Sequence, residues 1–489
     1  MAEPAQQSQQ PDSGGPGVLM RADAVASRER ILVAAAALVG DRRVSMAEIA
    51  AAAGVSRSTL YRHFPTRQAL DHALRAVDSP PGEAPGDDAS TPLGRVSPLP
   101  FQAPGELGRD RPLPLEVTRV LDEVPAHLVP EQLVAEVRRA AGVPVALYVV
   151  DIDGSHLLRL AGSEEFPDRI DAPPALGPEI VPEGLPAFYE QLQRQLPGCC
   201  AEPLWLRGRV TGLLLCVGTP IGSLTDIAKQ GAAALELAND YTDFIEAARR
   251  RKATTPAAET QQNLFPPRLA RIAGAQLAGA LLPSYEVGGD WFDFVENRDG
   301  AWLAIADAAG NGPTAAGLGV AALGALRAAR RSDGDLQQAL SLMHETVRRL
   351  QNPDFYVTAL VARWRAATAT LTWVNCGHPP AYLVDVAGNL AELQSHRHPA
   401  LGTGKKKPTF RPTDRRLNPG ERLILLTDGI TERHMAGGGK FGRQGIERAL
   451  QSAESPTAAC TAMAIQKAVA DYWDEPLEDD ATVVVMAIA

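Results

Sequence analysis

The sequence predicts a multidomain chain: an all-α module, then an α/β segment, then an α+β sandwich of strands flanked by helices. Three observations point there. A stretch rich in proline and glycine, 79–112, separates a helix-rich beginning from the remaining three quarters of the chain, and such composition stiffens a linker without supplying a core. Apolar residues recur at helical spacing before that stretch and gather into β-like runs after it. Beyond about residue 261, strands and long helices alternate irregularly, the pattern of an α+β layer structure. At 489 residues there is room for about three domains.

Residues 1–21 are rich in Gln, Pro, Ser and Gly and are expected to be a disordered tail, without the apolar stretch of a signal peptide. Residues 22–78 form the first module. A helix over Ser27–Val39 puts Ile31, Leu32, Ala35 and Leu38 on one face. Ser45 and Glu48 make a capping box that opens a second helix. Gly54 supplies a turn, Ser56 caps a third helix over Arg57–Phe64, and Thr66 caps a fourth carrying Leu70, Leu74 and Val77. Two short helices joined through a glycine are a helix-turn-helix pattern.

In 113–223, Val145–Asp151 predicts a strand, Asp153-Gly154 a hairpin turn and His156–Ala161 the returning strand. Leu204–Val217 predicts a second strand pair around Gly208. One long helix is expected from Leu224 to Lys252, within a linker over 224–260, its basic end Arg249-Arg-Arg-Lys suiting a helix C-terminus. In 261–489, strands are expected at Val357–Ala362, Ala369–Val374, Arg422–Leu426 and Thr482–Met486, with helices over Pro313–Arg331 and Leu336–Leu350. Pro313 suits a first helical position.

A net charge of −10 argues against nucleic-acid binding by the whole chain, yet 21–78 carries nine Arg against six Asp and Glu, so a small basic module is allowed. The five cysteines are odd in number and lack zinc-site spacing, which suits reduced thiols in a cytosolic protein; Cys199-Cys200 reads as a loop pair without a role. No apolar run is long enough for a bilayer, so a cytoplasmic location and no membrane partner are expected.

The chemistry lies in the last third. Asp290 stands in Gly-Gly-Asp, Asp307 in Asp-Ala-Ala-Gly-Asn-Gly, Asp428 in Thr-Asp-Gly, and Asp479 opens Asp-Asp-Ala-Thr. Asp307, Asp428 and Asp479 border β-like runs, so a sheet can gather their carboxylates around hard divalent ions. A metal-dependent hydrolase of phosphate esters is the expectation.

Seven ordered motifs sharpen it: Asn263-Leu-Phe-Pro-Pro, Val287-Gly-Gly-Asp-Trp-Phe-Asp, Ile305-Ala-Asp-Ala-Ala-Gly-Asn-Gly, Phe355-Tyr-Val-Thr-Ala-Leu, Val374-Asn-Cys-Gly-His-Pro-Pro, Leu417 through Thr-Asp-Gly-Ile-Thr-Glu432, and Asp479-Asp-Ala-Thr-Val-Val-Val. Together they resemble the phosphatase domain of the SpoIIE-like branch of PPM-type protein serine/threonine phosphatases. The resemblance implies a β-sandwich flanked by helices and two Mn²⁺ or Mg²⁺ ions. It implies Asp307 bridging both ions with the Ala308 carbonyl at one, Asp428 and Asp479 completing the first, and Asp290 at the second. Asp307 and Asp428 are the expected catalytic residues. Asp480 rivals Asp479, and strand alternation points the two apart. Asp293 is a candidate for support behind the ligands. His378 is either the general acid or, more simply, a turn histidine.

Two further resemblances complete the organisation. Ile49 through Phe64, with Ser56-Arg-Ser-Thr-Leu-Tyr-Arg-His-Phe at its end, is similar to the DNA-binding domain of TetR-type repressors. This implies DNA contact through 45–64 by Arg57, Ser58, Thr59, Tyr61 and Arg62. The helical ligand-binding domain of that family has no counterpart here, so a role in protein contact stays open. The order of elements in 113–223 resembles a GAF-type sensor, with Tyr148, Phe188, Tyr189 and Trp205 either lining a ligand pocket or serving as ordinary core. The expected function is removal of phosphate from a STAS-type anti-anti-sigma factor by a homodimer. The rivals are a transcriptional regulator whose phosphatase-like domain only dimerises or binds ligand, and hydrolysis of a small phosphorylated molecule.

Overall fold

The computed structural model describes 30–36, 46–55, the single residues 60, 64, 70 and 74, and 121–489 except 283–287, 353, 405, 435–438, 473–476 and 478. The chain forms two compact units, 1–107 and 108–489.

In the first unit, α1 (30–36) and α2 (Met46–Ala52) are the described helices. Ile31, Ala35, Ile49, Leu60, Phe64 and Leu70 are buried together; Ile31, Ala35 and Leu70 are among the positions that the apolar spacing predicts. Gly54 has φ +63° and closes the turn after α2. The DNA-contact candidates Arg57, Ser58, Thr59, Tyr61 and Arg62 lie outside the described residues, as do the tail and the linker.

The second unit begins with α3 (Val129–Ala141) packed on an antiparallel sheet. Its strands are β1 (Val145–Val150), β2 (His156–Gly162), β3 (Arg169–Asp171), β4 (Ala175–Leu176), β5 (Glu179–Ile180), β6 (Cys199–Leu206) and β7 (Arg209–Val217), in the order β3-β2-β1-β7-β5-β4 with β6 also on β7. A helix α4 (Leu185–Gln195) covers the other face. Both predicted strand pairs are present. Cys199 and Cys200 are not in a loop: they open β6 opposite Val217 and Cys216, because the apolar run of β7 recruits them. Tyr148 and Phe188 belong to the core, with Tyr189 and Trp205 packed against it. A cleft of about 620 Å³, bounded by Glu131, Arg138, Gly142, Pro144, Gly162 and Glu165, is lined by none of these aromatics.

The single helix expected over 224–252 is broken. It is α5 (Thr225–Asn239), then α6 (Phe244–Ala248), then α7 (Pro256–Gln262). Thr242 Oγ1 accepts the Phe244 N–H at 3.2 Å and restarts the chain, a competing side-chain bond that ends regular helix. Thr255 caps α7 by accepting from Ala258 N, with Pro256 at the first helical position.

Two six-stranded sheets complete the second unit. One runs β10 (Asp290–Asn297), β11 (Gly300–Ala308), β12 (Val357–Arg365), β13 (Thr370–Cys376), β16 (Arg397–His398), with β17 (Thr413–Arg416) also on β13. The other runs β15 (Leu390–Glu392), β14 (Tyr382–Val384), β18 (Arg422–Leu426), β19 (Ala481–Ile488), β9 (Ala275–Leu282), β8 (Leu269–Ile272). Strand alternation sorts the side chains. Phe292, Ile305, Leu360, Leu425, Val484 and Met486 fill the space between the sheets. The opposite faces meet helices: α8 (Gly312–Arg331) and α9 (Leu336–Arg349) on the first sheet, and α11 (Gly442–Ser452) and α12 (Ala458–Ala470) on the second. A short α10 (Asp428–Thr431) comes directly after β18. The result is an α+β sandwich with helices outside, and the four strands and two helices expected here are all found.

The middle segment docks onto this sandwich. Leu176 and Val181 join the core beneath α12. Buried Glu179 accepts the Leu269 N–H at 2.8 Å and pairs with Arg209 at 2.7 Å. Among the described residues, no helix is long and apolar enough to cross a membrane.

Candidate active site

The same alternation that fills the inter-sheet core carries carboxylates to its open end. Asp290 and Asp307 are direct cross-strand partners on β10 and β11, and Asp307 in turn faces Thr358 on β12. All three lie on the side of Phe292, Ile305 and Leu360. From the other sheet, Thr427, Asp480 and Thr482 continue the inward rows of Leu425 and Val484. The structure thus brings Asp290, Asp307, Asp428, Asp479 and Asp480 to one seam, and they divide by depth. Asp290 and Asp480 are each 3 % exposed. Asp307 is half-buried, and Asp428 and Asp479 are exposed at the rim.

Asp290 joins the sheets. Its Oδ2 accepts from Thr427 Oγ1 at 2.7 Å and from Thr482 Oγ1 at 2.6 Å, both on the opposite sheet. Both threonines stand inside the aspartate motifs, Thr427 in Thr-Asp-Gly and Thr482 in Asp-Asp-Ala-Thr, but their role follows only from their inward register. Asp480 Oδ2 accepts from Gly288 N and from Gln261 Nε2, each at 3.0 Å. The Asp479–Asp480 pair is split as strand alternation requires. Glycines allow the close approach: a Cβ on Gly289 would lie 1.9 Å from the Ala308 carbonyl oxygen, and one on Gly429 would lie 1.9 Å from the Asp480 carbonyl oxygen.

The electrostatics are those of crowded anions. Burial first, then the charges of Asp480 and Asp307, hold the Asp290 carboxyl well above the usual carboxylate range, against the pull of its two threonine bonds. Burial and the neighbouring Asp428, Asp479 and Asp480 push Asp307 up to about 7. Asp480 is pushed up to about 6, chiefly by burial. Lost hydration, then Asp479, raises Asp428. None of the ion pairs among the described residues involves any of the five. A part-buried carboxylate cluster with no ion-paired Arg or Lys among the described residues fits hard divalent cations, which prefer oxygen ligands. As they stand, no three His, Cys, Asp or Glu side chains among the described residues are arranged to hold a metal ion. Like charges repel, and drawing them together is work that a bound cation would supply.

Two residues fall elsewhere. Asp293 is on the opposite face of β10, where it pairs with Arg327 at 2.8 Å and Arg330 at 2.7 Å and ties the strand to α8; it does not stand behind the aspartates. His378 is buried, with Nδ1 2.9 Å from Thr358 Oγ1 and its backbone N–H donated to Asn375 Oδ1. Burial drives its pKa down to about 3, so the ring is neutral and belongs to the turn.

Two stretches of the chain match known families. Residues 297–489 match the family described as Stage II sporulation protein E (SpoIIE), and residues 31–74 match the bacterial regulatory proteins of the tetR family. The phosphoserine phosphatase RsbU of Bacillus subtilis (strain 168) is 21% identical over 230 residues, 47% of this chain and 68% of that one. The SiaA-PP2C domain of Pseudomonas aeruginosa is 22% identical with TM-score 0.41, covering 53% of this chain and 100% of that one. The PP2C phosphatase domain of SpoIIE from Bacillus subtilis, solved with a fragment of its regulatory domain, is 14% identical with TM-score 0.39, covering 64% of this chain and 78% of that one. The chain therefore carries a SpoIIE-like region over 297–489 and, before it in sequence, a TetR-like segment over 31–74.

Proposed function

We propose that the phosphatase domain hydrolyses phosphoserine or phosphothreonine in a regulatory protein, with a STAS-type anti-anti-sigma factor as the candidate substrate. One observation carries this reading: five carboxylates meet at the open end of the sandwich, and among the described residues no ion pair joins a cationic side chain to them. Asp307, Asp428 and Asp479 at the rim, with the Ala308 carbonyl and the deeper Asp290, are the groups we assign to two Mn²⁺ or Mg²⁺ ions. Such ions would supply Lewis acidity, charge neutralisation at the phosphoryl group and a more acidic water. The chain's own part is to keep the acceptor oxygens fixed, while the bound ions would supply the positive charge that favours their ionised form. Thr427 and Thr482 orient Asp290, and the rim position of Asp428 and Asp479 leaves room for a protein-borne phosphate. His378, neutral and bonded to Thr358, is not a proton donor in this scheme.

The test is hydrolysis of a phosphoserine STAS protein by the full chain in Mn²⁺ and in EDTA, beside nucleotides and sugar phosphates. Turnover should need Mn²⁺ and fall by about 100-fold or more in Asp307→Ala and in Asp428→Ala. Turnover in EDTA, or equal rates in the variants, would remove these residues from the reaction. Faster turnover of small phosphates would move the substrate class instead.

The match of residues 31–74 to the tetR family supports DNA as a second partner, through Arg57, Ser58, Thr59, Tyr61 and Arg62, in a homodimer. We read the α/β middle segment as the GAF-like sensor that controls the phosphatase.

A further inference from the structure

Gln261 is the last but one residue of α7, the helix that leads from the middle segment into the sandwich. It is 3 % exposed. Its Nε2 donates to Asp480 Oδ2 at 3.0 Å and to the Asp290 carbonyl oxygen at 2.8 Å. Both partners are acceptors, so the amide must turn its NH₂ toward the aspartates; its Oε1 finds no donor among the described residues. A buried amide that leaves its own acceptor unsatisfied to serve two oxygens at the seam is an expensive arrangement for a helix end that only needs to pack.

The middle of α7, two residues before Gln261, is held as well. Arg250 reaches Glu259 of α7 through two nitrogens, at 2.9 and 2.6 Å, and Glu246 of α6 at 2.9 Å. Its neighbour Arg251 pairs with Asp151 at 2.5 Å and Asp153 at 2.7 Å, in the turn between β1 and β2. Polar contacts joined by short stretches of backbone therefore run from the middle segment's first hairpin, past α6 and α7, to the aspartate seam.

We propose that Gln261 is a positioning residue for the metal centre: α7 presents it so that Asp480 and the Asp290 backbone are fixed in the orientation that metal uptake requires. The placement of α7 by Arg250 then sets how strongly the seam binds cations. This rests on reading the seam as a metal site. Groups that orient ligands from behind change metal affinity by about 10- to 100-fold when removed.

The experiment is calorimetric titration of the full-length chain with MnCl₂, which reads binding and not turnover. Gln261→Leu, which keeps the bulk and removes the amide, should weaken Mn²⁺ about tenfold. Thr260→Ala, on the exposed side of α7, should leave the affinity unchanged. Arg250→Ala should weaken Mn²⁺ in the parent and add nothing in the Gln261→Leu background, the non-additivity expected of one route. Gln261→Leu within twofold of the parent would overturn the inference, and so would an undiminished Arg250→Ala effect in that background. If Gln261→Leu does not fold, Arg250→Ala decides alone, an unchanged affinity being the refutation. A parent that takes up no Mn²⁺ would overturn the metal reading as well, whereas a parent that binds, with variants that bind equally, overturns only the role of Gln261.

Discussion

Replacing Asp307 by asparagine should stabilise the metal-free protein near neutral pH, a result opposite to the usual effect of altering a site residue. The Asp307 carboxyl is pushed up to about 7 from an unfolded-state value near 4. A group raised in this way contributes its stability below about pH 4 and loses it as pH rises through 7. By pH 7.5 the folded chain carries the unrelieved repulsion. Each factor of ten in acidity is about 1.4 kcal/mol, so the ceiling is about 4 kcal/mol, and solvent screening at this half-open position brings it to about 2 kcal/mol. For a domain of this size that raises Tm by about 4–8 °C. The assay is thermal unfolding of both proteins in EDTA at pH 5 and 7.5, then in Mn²⁺. The advantage of Asp307→Asn should be large at pH 7.5, smaller at pH 5, and reversed in Mn²⁺, where only the parent gains ligand stabilisation. A variant no more stable than the parent at pH 7.5 in EDTA, or a difference that ignores pH, would refute the picture of carboxylates crowded without a counter-charge.

Single contacts set three other outcomes. Asp293→Ala strands Arg330, which is itself buried, so it should cost about 3 kcal/mol in denaturant unfolding while leaving Mn²⁺ affinity within twofold, since it faces α8. Gly289→Ala must part β10 from β11 where its Cβ would meet the Ala308 oxygen; calorimetry should show Mn²⁺ uptake lost while far-ultraviolet circular dichroism stays that of the parent. Arg57→Ala with Tyr61→Ala should abolish a salt-sensitive gel shift on duplex DNA, and a shift left intact would count against groove docking.

Where the sequence was legible, local chemistry decided the element. β19 is a run rich in Val that follows two aspartates, and α8 opens at Gly312-Pro313 after an extended Asn311. α9 begins at a reciprocal capping box of Asp335 and Gln338. The break after α5 was harder to see: apolar spacing continues past Asp240, and only the Thr242 hydroxyl shows where the helix stops. At the site, the aspartates announce themselves through their motifs. Gln261, Thr427 and Thr482 do not, because what gives them meaning lies far along the chain: Gln261 and Asp480 are 219 residues apart. Asp293 misled for a related reason. Its motif neighbours Asp290, but three positions along a strand place it on the other face, against arginines that only the folded chain supplies.

The threonine pair works against the burial and crowding that disfavour an anion at the seam. A carboxylate 3 % exposed is costly unless its oxygens are met by donors. Asp290 receives two hydroxyls, both from the facing sheet, so its charge is supported only when the sandwich is closed. The same closure brings Asp307 and Asp480 against it and raises its pKa. One set of contacts thus stabilises the anion and another destabilises it, and neither can be removed while the sheets stay packed. A divalent cation relieves the second set without disturbing the first. Metal binding should therefore tighten the contact between the two sheets, which places control of the site in whatever governs their packing, and α7 reaches that seam from the middle segment.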